Sequence, residues 1–177
     1  NHQSNKVYTT WHSMFARCYN EKYHINRPTY TNCEVCSEWY NYQNFGKWYE
    51  ENYYEVQGEQ MCLDKDILVK DNKLYSPSTC TFVPKRINSF FNINTTSQHI
   101  SKGVCFSKAH QKYVSQCYNF VGRKKYKYYK NYDDAIKGYR ICRNKAINDI
   151  LGYYDNKIPE KILNRIDQLK DGGGALS

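Results

Sequence analysis

The sequence predicts an α+β protein in two parts, and three observations support this. Apolar residues recur at helical spacing in the first fifty residues and again near the C-terminus. Between these stretches lie a strand–turn–strand–helix pattern over 61–92 and three short strand patterns over 103–132. The charge balance changes between the two strand-rich stretches. We therefore expect a ββα unit first and a small sheet with a helix after it.

Two aromatic stripes predict helices in the first part. The segments TWHSMFARCY (10–19) and WYNYQNFGKW (39–48) each place large apolar side chains on one helical face, which indicates core packing. The segment NRPTYTNCEVCSE between them predicts a loop with a short strand. Ser37 is a suitable N-cap for the second helix.

The segment 61–92 predicts a hairpin followed by a helix. MCLDKDILV predicts one strand, KDN a turn, and KLYSPSTCTFV a returning strand interrupted by a proline. Pro84 is typical of a first helical turn, and KRINSFFN continues as a short helix. The first strand carries Asp64, Lys65 and Asp66 in succession. This trio either holds a divalent metal with its two carboxylates or forms the solvated face of a hairpin.

The polar stretch 93–102 is the predicted boundary, which gives domains 1–94 and 95–177. Beyond it, GVCFSK, KYVSQCYNF and YKYYKNY predict three short strands. A helix over 133–151 follows, for which Asp133 is the expected N-cap, and a second helix begins at Pro159.

The net charge of +9 is concentrated in the second part. Residues 1–94 contain ten basic and ten acidic side chains, whereas 95–177 contain sixteen basic and seven acidic ones. Between Lys102 and Lys130 there are eight basic residues and no acidic one. This asymmetry indicates a polyanionic partner, and double-stranded DNA is the partner that we expect. A protein partner stays open as well.

The sequence contains no apolar run of the length of a membrane span and no export signal. We therefore expect a cytoplasmic protein without a membrane partner, whose eight cysteines are reduced. Cys33 and Cys36 form one C-x-x-C pair, which Cys62 and Cys80 would have to complete as a zinc site. Their spacing is not that of a zinc knuckle, so the sequence does not favour structural zinc.

The first part resembles HNH-type endonucleases of the His-Me finger superfamily, especially phage and homing-type members. LDKDI and SPSTCTFVPKRIN carry the resemblance, within a match over about residues 8–92. It implies a ββα-metal fold in which Asp64 and Asn88 hold one divalent metal, Mg²⁺ or another, beneath the scissile phosphate. Asp66 is a further candidate ligand. A phage origin would place the protein in the cytoplasm of a bacterial host.

Two positions depart from the pattern of that family, and one of them is Thr79, which stands where the family has an asparagine that supports its histidine. Lys65 stands where the family has its water-activating histidine, and lysine is a poor general base at neutral pH. Three outcomes stay open. The metal alone activates water while Lys65 neutralises phosphate charge, or His12 or His24 supplies the base, or the site does no chemistry.

The predicted catalytic residues are accordingly Lys65 and Asp64, in an endonuclease that hydrolyses DNA phosphodiesters with one divalent metal. Two alternatives remain. One is a catalytically silent DNA-binding protein with a regulatory or replicative role. The other is an inhibitor that uses DNA-like surfaces to bind another protein.

The second part resembles AP2-type DNA-binding domains over residues 103 to about 150, in GVCF, KYVSQC and YKYYKNYDDA. The resemblance implies a three-stranded antiparallel sheet backed by one helix, with the sheet entering the major groove of DNA. Tyr129 replaces the usual glycine of the family. The DNA-contacting side chains that we predict lie on or between the strands: Lys108, Lys112, Tyr113, Ser115, Arg123, Lys124, Lys125, Lys127 and Lys130.

Overall fold

The computed structural model describes residues 2–91 and 103–170 of the 177-residue chain. The protein is a mixed α+β structure with a three-stranded antiparallel sheet, as the sequence predicts. Internal contacts divide the chain into two compact units, Asn1–Lys85 and Arg86–Ser177. The predicted boundary at 93–102 lies outside the described residues. Among the described helices, none has the length and apolarity needed to cross a membrane.

The first unit combines helices with two small two-stranded sheets. Its helices are α1 (His2–Tyr19), α2 (Glu21–Asn26) and α3 (Tyr42–Asn52), and 3₁₀ turns occur at Pro28–Tyr30 and Ser37–Tyr40. Its strands are β1 (Glu34–Val35), β2 (Met61–Asp64), β3 (Leu74–Tyr75) and β4 (Thr81–Pro84). β2 pairs with β4 in antiparallel orientation, and β1 pairs with β3 in parallel orientation.

Aromatic side chains form the core of the first unit. Trp39 and Phe45 are fully buried and pack edge to face, with 5.1 Å between their ring centroids. The indole N–H of Trp11 donates to the carbonyl of Trp39 at 2.8 Å, which ties α1 to the segment before α3. Phe82 of β4 adds a further buried ring. The two aromatic stripes therefore pack as core, as predicted.

The predicted hairpin differs from the observed one in its length. β2 ends at Asp64, and only 81–83 of the predicted returning strand pairs with it. Pro84, predicted in the first helical turn, instead ends β4 and pairs with Met61. β2 ends because the Asp64 carboxylate accepts hydrogen bonds from the backbone N–H groups of Asp66 and Ile67, which turns the chain. The segment that forms β3 pairs with β1 instead. Helix α4 (Lys85–Phe91) begins directly after β4.

The second unit contains a three-stranded sheet and a long helix. Its strands are β5 (Val104–Ser107), β6 (Lys112–Tyr118) and β7 (Lys124–Tyr129), in that order across the sheet. Both strand pairs are antiparallel. Its helices α5 (Tyr132–Tyr154) and α6 (Glu160–Gln168) follow. All three predicted strands and both predicted helices occur, but β7 begins two residues before the predicted third strand (126–132) and ends three residues before it, because Asn131 caps α5.

Two helix caps differ from those predicted. Asn41, not Ser37, caps α3, because its side chain accepts a backbone N–H of the first turn at 2.9 Å. Asn131, not Asp133, caps α5 in the same way at 2.8 Å. Each helix therefore begins one residue after an asparagine, a residue with a strong N-cap preference.

Helix α5 covers one face of the sheet. Cys117 of β6 and Cys142 of α5 form a disulfide, with their Cα atoms 6.3 Å apart. The expectation of reduced thiols is therefore wrong for these two cysteines, because strand and helix pack closely enough for their sulfur atoms to bond. The other six cysteines are free thiols.

A glycine allows the chain to approach α5 at the start of the sheet. Gly103 has a φ of +80° and lies against the ring of Tyr139, where a Cβ atom would overlap the ring. Gly122, in the turn between β6 and β7, has nearly the same φ of +78° but no neighbouring atom within 4 Å of a built Cβ. The two positions therefore share a backbone constraint and differ in side-chain contact.

We expect Gly103→Ala to destabilise the second unit more than Gly122→Ala does. Both variants carry the strain of alanine at positive φ, about 1 kcal/mol. Only Gly103→Ala must also displace the Tyr139 ring, which adds about 1–3 kcal/mol. Hydrogen exchange of the α5 amides in urea measures both losses. Equal losses would show that the Tyr139 contact contributes nothing.

Candidate metal centre and nucleic-acid interface

Asp64 lies at the end of β2 and is buried, with 7% of its surface exposed. One carboxylate oxygen, Oδ1, accepts hydrogen bonds from the N–H groups of Asp66 at 2.8 Å and Ile67 at 2.7 Å. Burial raises the pKa of Asp64, while these two hydrogen bonds act in the opposite direction. The carboxylate therefore has a structural role as the closing group of a turn.

Lys65 is also buried, with 5% of its surface exposed. Its ammonium donates to both carboxylate oxygens of Asp66, at 2.7 and 2.8 Å, and to the carbonyl of Asn72 at 2.5 Å. It also lies 5.9 Å from the centroid of the Tyr75 ring. Because an ammonium has three donors, these oxygens account for its hydrogen-bonding capacity.

Asn72 completes a reciprocal connection with Lys65. Its side-chain amide donates to the carbonyl of Lys65 at 3.0 Å, while its own carbonyl accepts from the Lys65 ammonium. The same side chain also bonds both backbone groups of Leu74, at 2.6 and 3.1 Å. The lysine therefore holds the long loop between β2 and β3 in one conformation. Its ammonium is directed at the protein, not at solvent where a phosphate would bind.

The predicted metal ligands do not fit a bound divalent ion as they are arranged. Both oxygens of Asp66 are occupied by the ammonium of Lys65, and one oxygen of Asp64 is occupied by two backbone amides. A metal beside Asp66 would meet a buried positive charge. Asn88 lies on α4, in the second unit. In the described part of the chain, no three His, Cys, Asp or Glu side chains are grouped in a way that would hold a metal.

The other candidate groups of the first unit have local partners or raised pKa values. His24 Nε2 bonds the carbonyl of Arg17 at 2.8 Å, and His12 lies beside the Tyr8 ring. Burial raises the pKa of the Cys80 thiol to about 12 and also raises the pKa values of the Cys33 and Cys36 thiols. Without a bound metal, these three cysteines are therefore in the thiol form at neutral pH.

Strand alternation divides the basic residues of the second unit between two faces of the sheet. The face packed on α5, the covered face, includes Ser115 and Cys117 of β6. The opposite face is called the open face here. It carries Cys105, Ser107, Lys112, Val114, Gln116, Tyr118, Lys124, Tyr126 and Tyr128.

Two of the predicted DNA contacts lie on the covered face in the central strand β6. Ser115 has only 5% of its surface exposed. Tyr113 is half-buried, and its ring packs against those of Phe106 and Tyr132, at 5.1 and 5.7 Å between centroids. We therefore remove Ser115 and Tyr113 from the proposed contacts, because the phase of β6 turns both side chains toward α5.

The remaining predicted contacts are exposed. Lys112 and Lys124 lie on the open face. Lys125 and Lys127 point to the same side of the sheet as α5 but are exposed, because β7 is an edge strand. Three more basic residues are exposed in the connections before and after the strands: Lys108, Arg123 and Lys130. Five of these basic residues therefore lie on the edge strand β7 or directly before or after it, and Lys108 and Lys112 lie at the connection between β5 and β6.

The aromatic residues of the open face were not among the contacts predicted from the sequence. Tyr126 and Tyr128 are exposed, and the Lys124 ammonium lies 5.3 Å from the Tyr126 ring and 5.9 Å from the Tyr118 ring. His110 lies 4.8 Å from Tyr128 between ring centroids. In the sequence, the alternation K-Y-K-Y at 125–128 indicates that lysines and tyrosines lie on opposite faces of a strand. It does not show which of the two faces α5 covers.

Comparisons with protein-family models, with curated proteins and with solved structures give no match for this chain.

We expect Lys65→Ala to lower the free energy of unfolding of the first unit by about 2–3 kcal/mol, because it removes charged hydrogen bonds from a buried site. Lys70→Ala, which removes an exposed lysine of the same loop, is the matched control and should change stability by less than about 0.5 kcal/mol. All three tryptophans lie in the first unit, so urea unfolding followed by tryptophan fluorescence measures it selectively. Equal midpoints for the two variants would contradict the structural role of Lys65.

Proposed function

We propose that the protein binds double-stranded DNA through the basic edge of the sheet in its second unit. The observation that carries the proposal is the exposure of every basic side chain from Arg123 to Lys130, in a stretch without an acidic residue. A row of cations on an edge strand can contact successive phosphates, and each contact releases condensed counterions. The open face then supplies groups that reach into a groove.

The two classes of contact have different consequences for recognition. Lys125, Lys127 and Arg123 carry charge at the edge and would contact the backbone, which positions the protein without reading sequence. Gln116 and Lys124 lie on the open face and are the candidates for contacts with base edges. Affinity would therefore come mainly from the charges of Arg123, Lys125 and Lys127, and sequence preference mainly from the side chains of the open face.

Replacing Arg123, Lys125 and Lys127 together by alanine should weaken binding to all duplexes alike. The slope of log affinity against log salt should become less negative by roughly two to three, since each phosphate contact contributes about −0.9 to it. Fluorescence anisotropy of the full chain with a labelled duplex, between low and moderate salt, gives this slope.

The control removes the same charge from another surface. Lys137, Arg140 and Lys145 are exposed on α5, and their triple alanine variant has the same net charge as the test variant. We expect it to leave the slope nearly unchanged. Equal slopes for both triple variants would show that net charge, and not the β7 edge, determines binding, and this result would overturn the proposed interface.

A second candidate function is hydrolysis of DNA phosphodiesters that depends on a divalent metal. The observation that favours it is the chain order, in which Asp64 ends β2, β4 returns beside it, and α4 with Asn88 follows at once. This order agrees with the resemblance to His-Me finger endonucleases. The bonds of Lys65 to Asp66 oppose it, so we assign no chemical step to these residues.

Plasmid nicking with Mg²⁺ tests the second candidate. Asp64→Asn keeps an oxygen that accepts the N–H groups of Asp66 and Ile67, so the turn should survive while the charge is lost. If the candidate holds, the unmodified chain nicks DNA only with Mg²⁺, Asp64→Asn loses the activity, and the exposed control Asp71→Asn retains it. If the unmodified chain nicks the plasmid no faster with Mg²⁺ than with EDTA, this second candidate is wrong and a catalytically silent DNA-binding protein is the function that remains.

A further inference from the structure

The open face exposes two tyrosines in succession on β7. Tyr126 has 57% and Tyr128 has 47% of its surface exposed, whereas Tyr75 and Tyr154 are fully buried; Tyr8 of the first unit, at 52%, is exposed to a similar extent. Adjacent large rings on one exposed sheet face are typical of surfaces that bind a partner. The partner must explain both the rings and the charges around them.

The charges around these rings are all positive or neutral. The Lys124 ammonium lies between the Tyr118 and Tyr126 rings, and His110 packs beside Tyr128. No acidic residue occurs in the sequence from β5 to β7. A face that combines cations with exposed rings fits a polyanion that also offers aromatic surfaces, and nucleic acid is such a partner.

The spacing of the rings distinguishes paired from unpaired bases. Side chains two residues apart on a strand are separated by about 6.6 Å. Successive base pairs of a duplex are separated by about 3.4 Å, and their flat surfaces are covered by their neighbours. Two rings at strand spacing can therefore each stack on a base only where the bases are unpaired and unstacked from one another.

We propose that Tyr126 and Tyr128 of the open face stack on unpaired bases, so that the protein binds single-stranded segments of DNA in addition to duplex. This inference rests on the proposed function, because the β7 edge supplies the phosphate contacts in both cases. Lys124 accompanies the stacked bases as their nearest cation. A transiently melted duplex, or one with a bubble, would engage the edge and the rings together.

The test compares the full chain with Tyr126→Ala/Tyr128→Ala and Tyr126→Phe/Tyr128→Phe. Each is titrated by anisotropy with a single strand, with its duplex, and with a duplex that contains an unpaired bubble. The alanine variant should lose at least about tenfold in affinity for the single strand and for the bubble, and less than about threefold for the duplex. The phenylalanine variant should retain its affinity, since it keeps the rings.

Salt dependence separates stacking from charge. Stacking releases no counterions. The affinity of the alanine variant for the single strand should therefore be lower than that of the unmodified chain at every salt concentration, with the same slope of log affinity against log salt. Tyr8→Ala, which removes an exposed tyrosine of the first unit, is the control and should bind like the unmodified chain. An unchanged affinity of the alanine variant for the single strand, or an equal loss for single strand and duplex, would overturn the stacking proposal while leaving DNA binding intact. Absence of binding to all three DNAs by the unmodified chain would overturn the proposed function itself.

Discussion

The close packing of α5 on one face of the three-stranded sheet is the constraint on which the proposed interface depends. It is fixed at three places: the Cys117–Cys142 disulfide, the contact of Gly103 with Tyr139, and the contact of Gly138 with the Tyr129 hydroxyl. Because side chains alternate along a strand, covering one face determines which residues are left on the other. The same lysine-rich strand would present a different set of rings and charges if α5 lay on the opposite side.

The buried lysine of the first unit shows how a suggestive motif can have a structural cause. A carboxylate–lysine–carboxylate sequence at the end of a strand agrees with a metal site, but here the two acids have separate tasks. Asp64 turns the chain, and Asp66 pairs with a lysine whose ammonium also binds the Asn72 carbonyl. Lys65 is buried whereas the Asp66 side chain is partly exposed, so loss of Asp66 would leave a buried ammonium with only the Asn72 carbonyl, which is unfavourable. This is sufficient to explain why all three residues stand together without invoking chemistry.

Local patterns in the sequence predict much of the fold, and pairings distant in sequence account for most of what they miss. Helical spacing of aromatic residues locates the core of the first unit, and three short strand patterns locate the sheet of the second. The pairing of β3 with β1 joins residues that are about forty positions apart, and no local signal contains it. The end of β2 depends on the Asp64 side chain, which accepts the backbone N–H groups of Asp66 and Ile67, and the disulfide depends on how α5 lies against β6. The same holds for the candidate DNA interface. The sequence shows where the basic residues are, but only the packing of α5 on the sheet shows which face each of them lies on.

The chain contains nineteen tyrosines, some of which are fully buried while others, among them Tyr8 and Tyr40, are exposed. Tyr75 and Tyr154 are buried in their units, where a ring contributes packing regardless of function. Tyr126 and Tyr128 remain exposed beside cations, where their rings contribute little to the fold. On β7, Tyr126 and Tyr128 share the open face with Lys124, whereas Lys125, Lys127 and Tyr129 lie on the other face. Phosphate contacts weaken with salt and stacking does not, so an edge of lysines joined to a face of rings would combine a salt-dependent attraction with a salt-independent one.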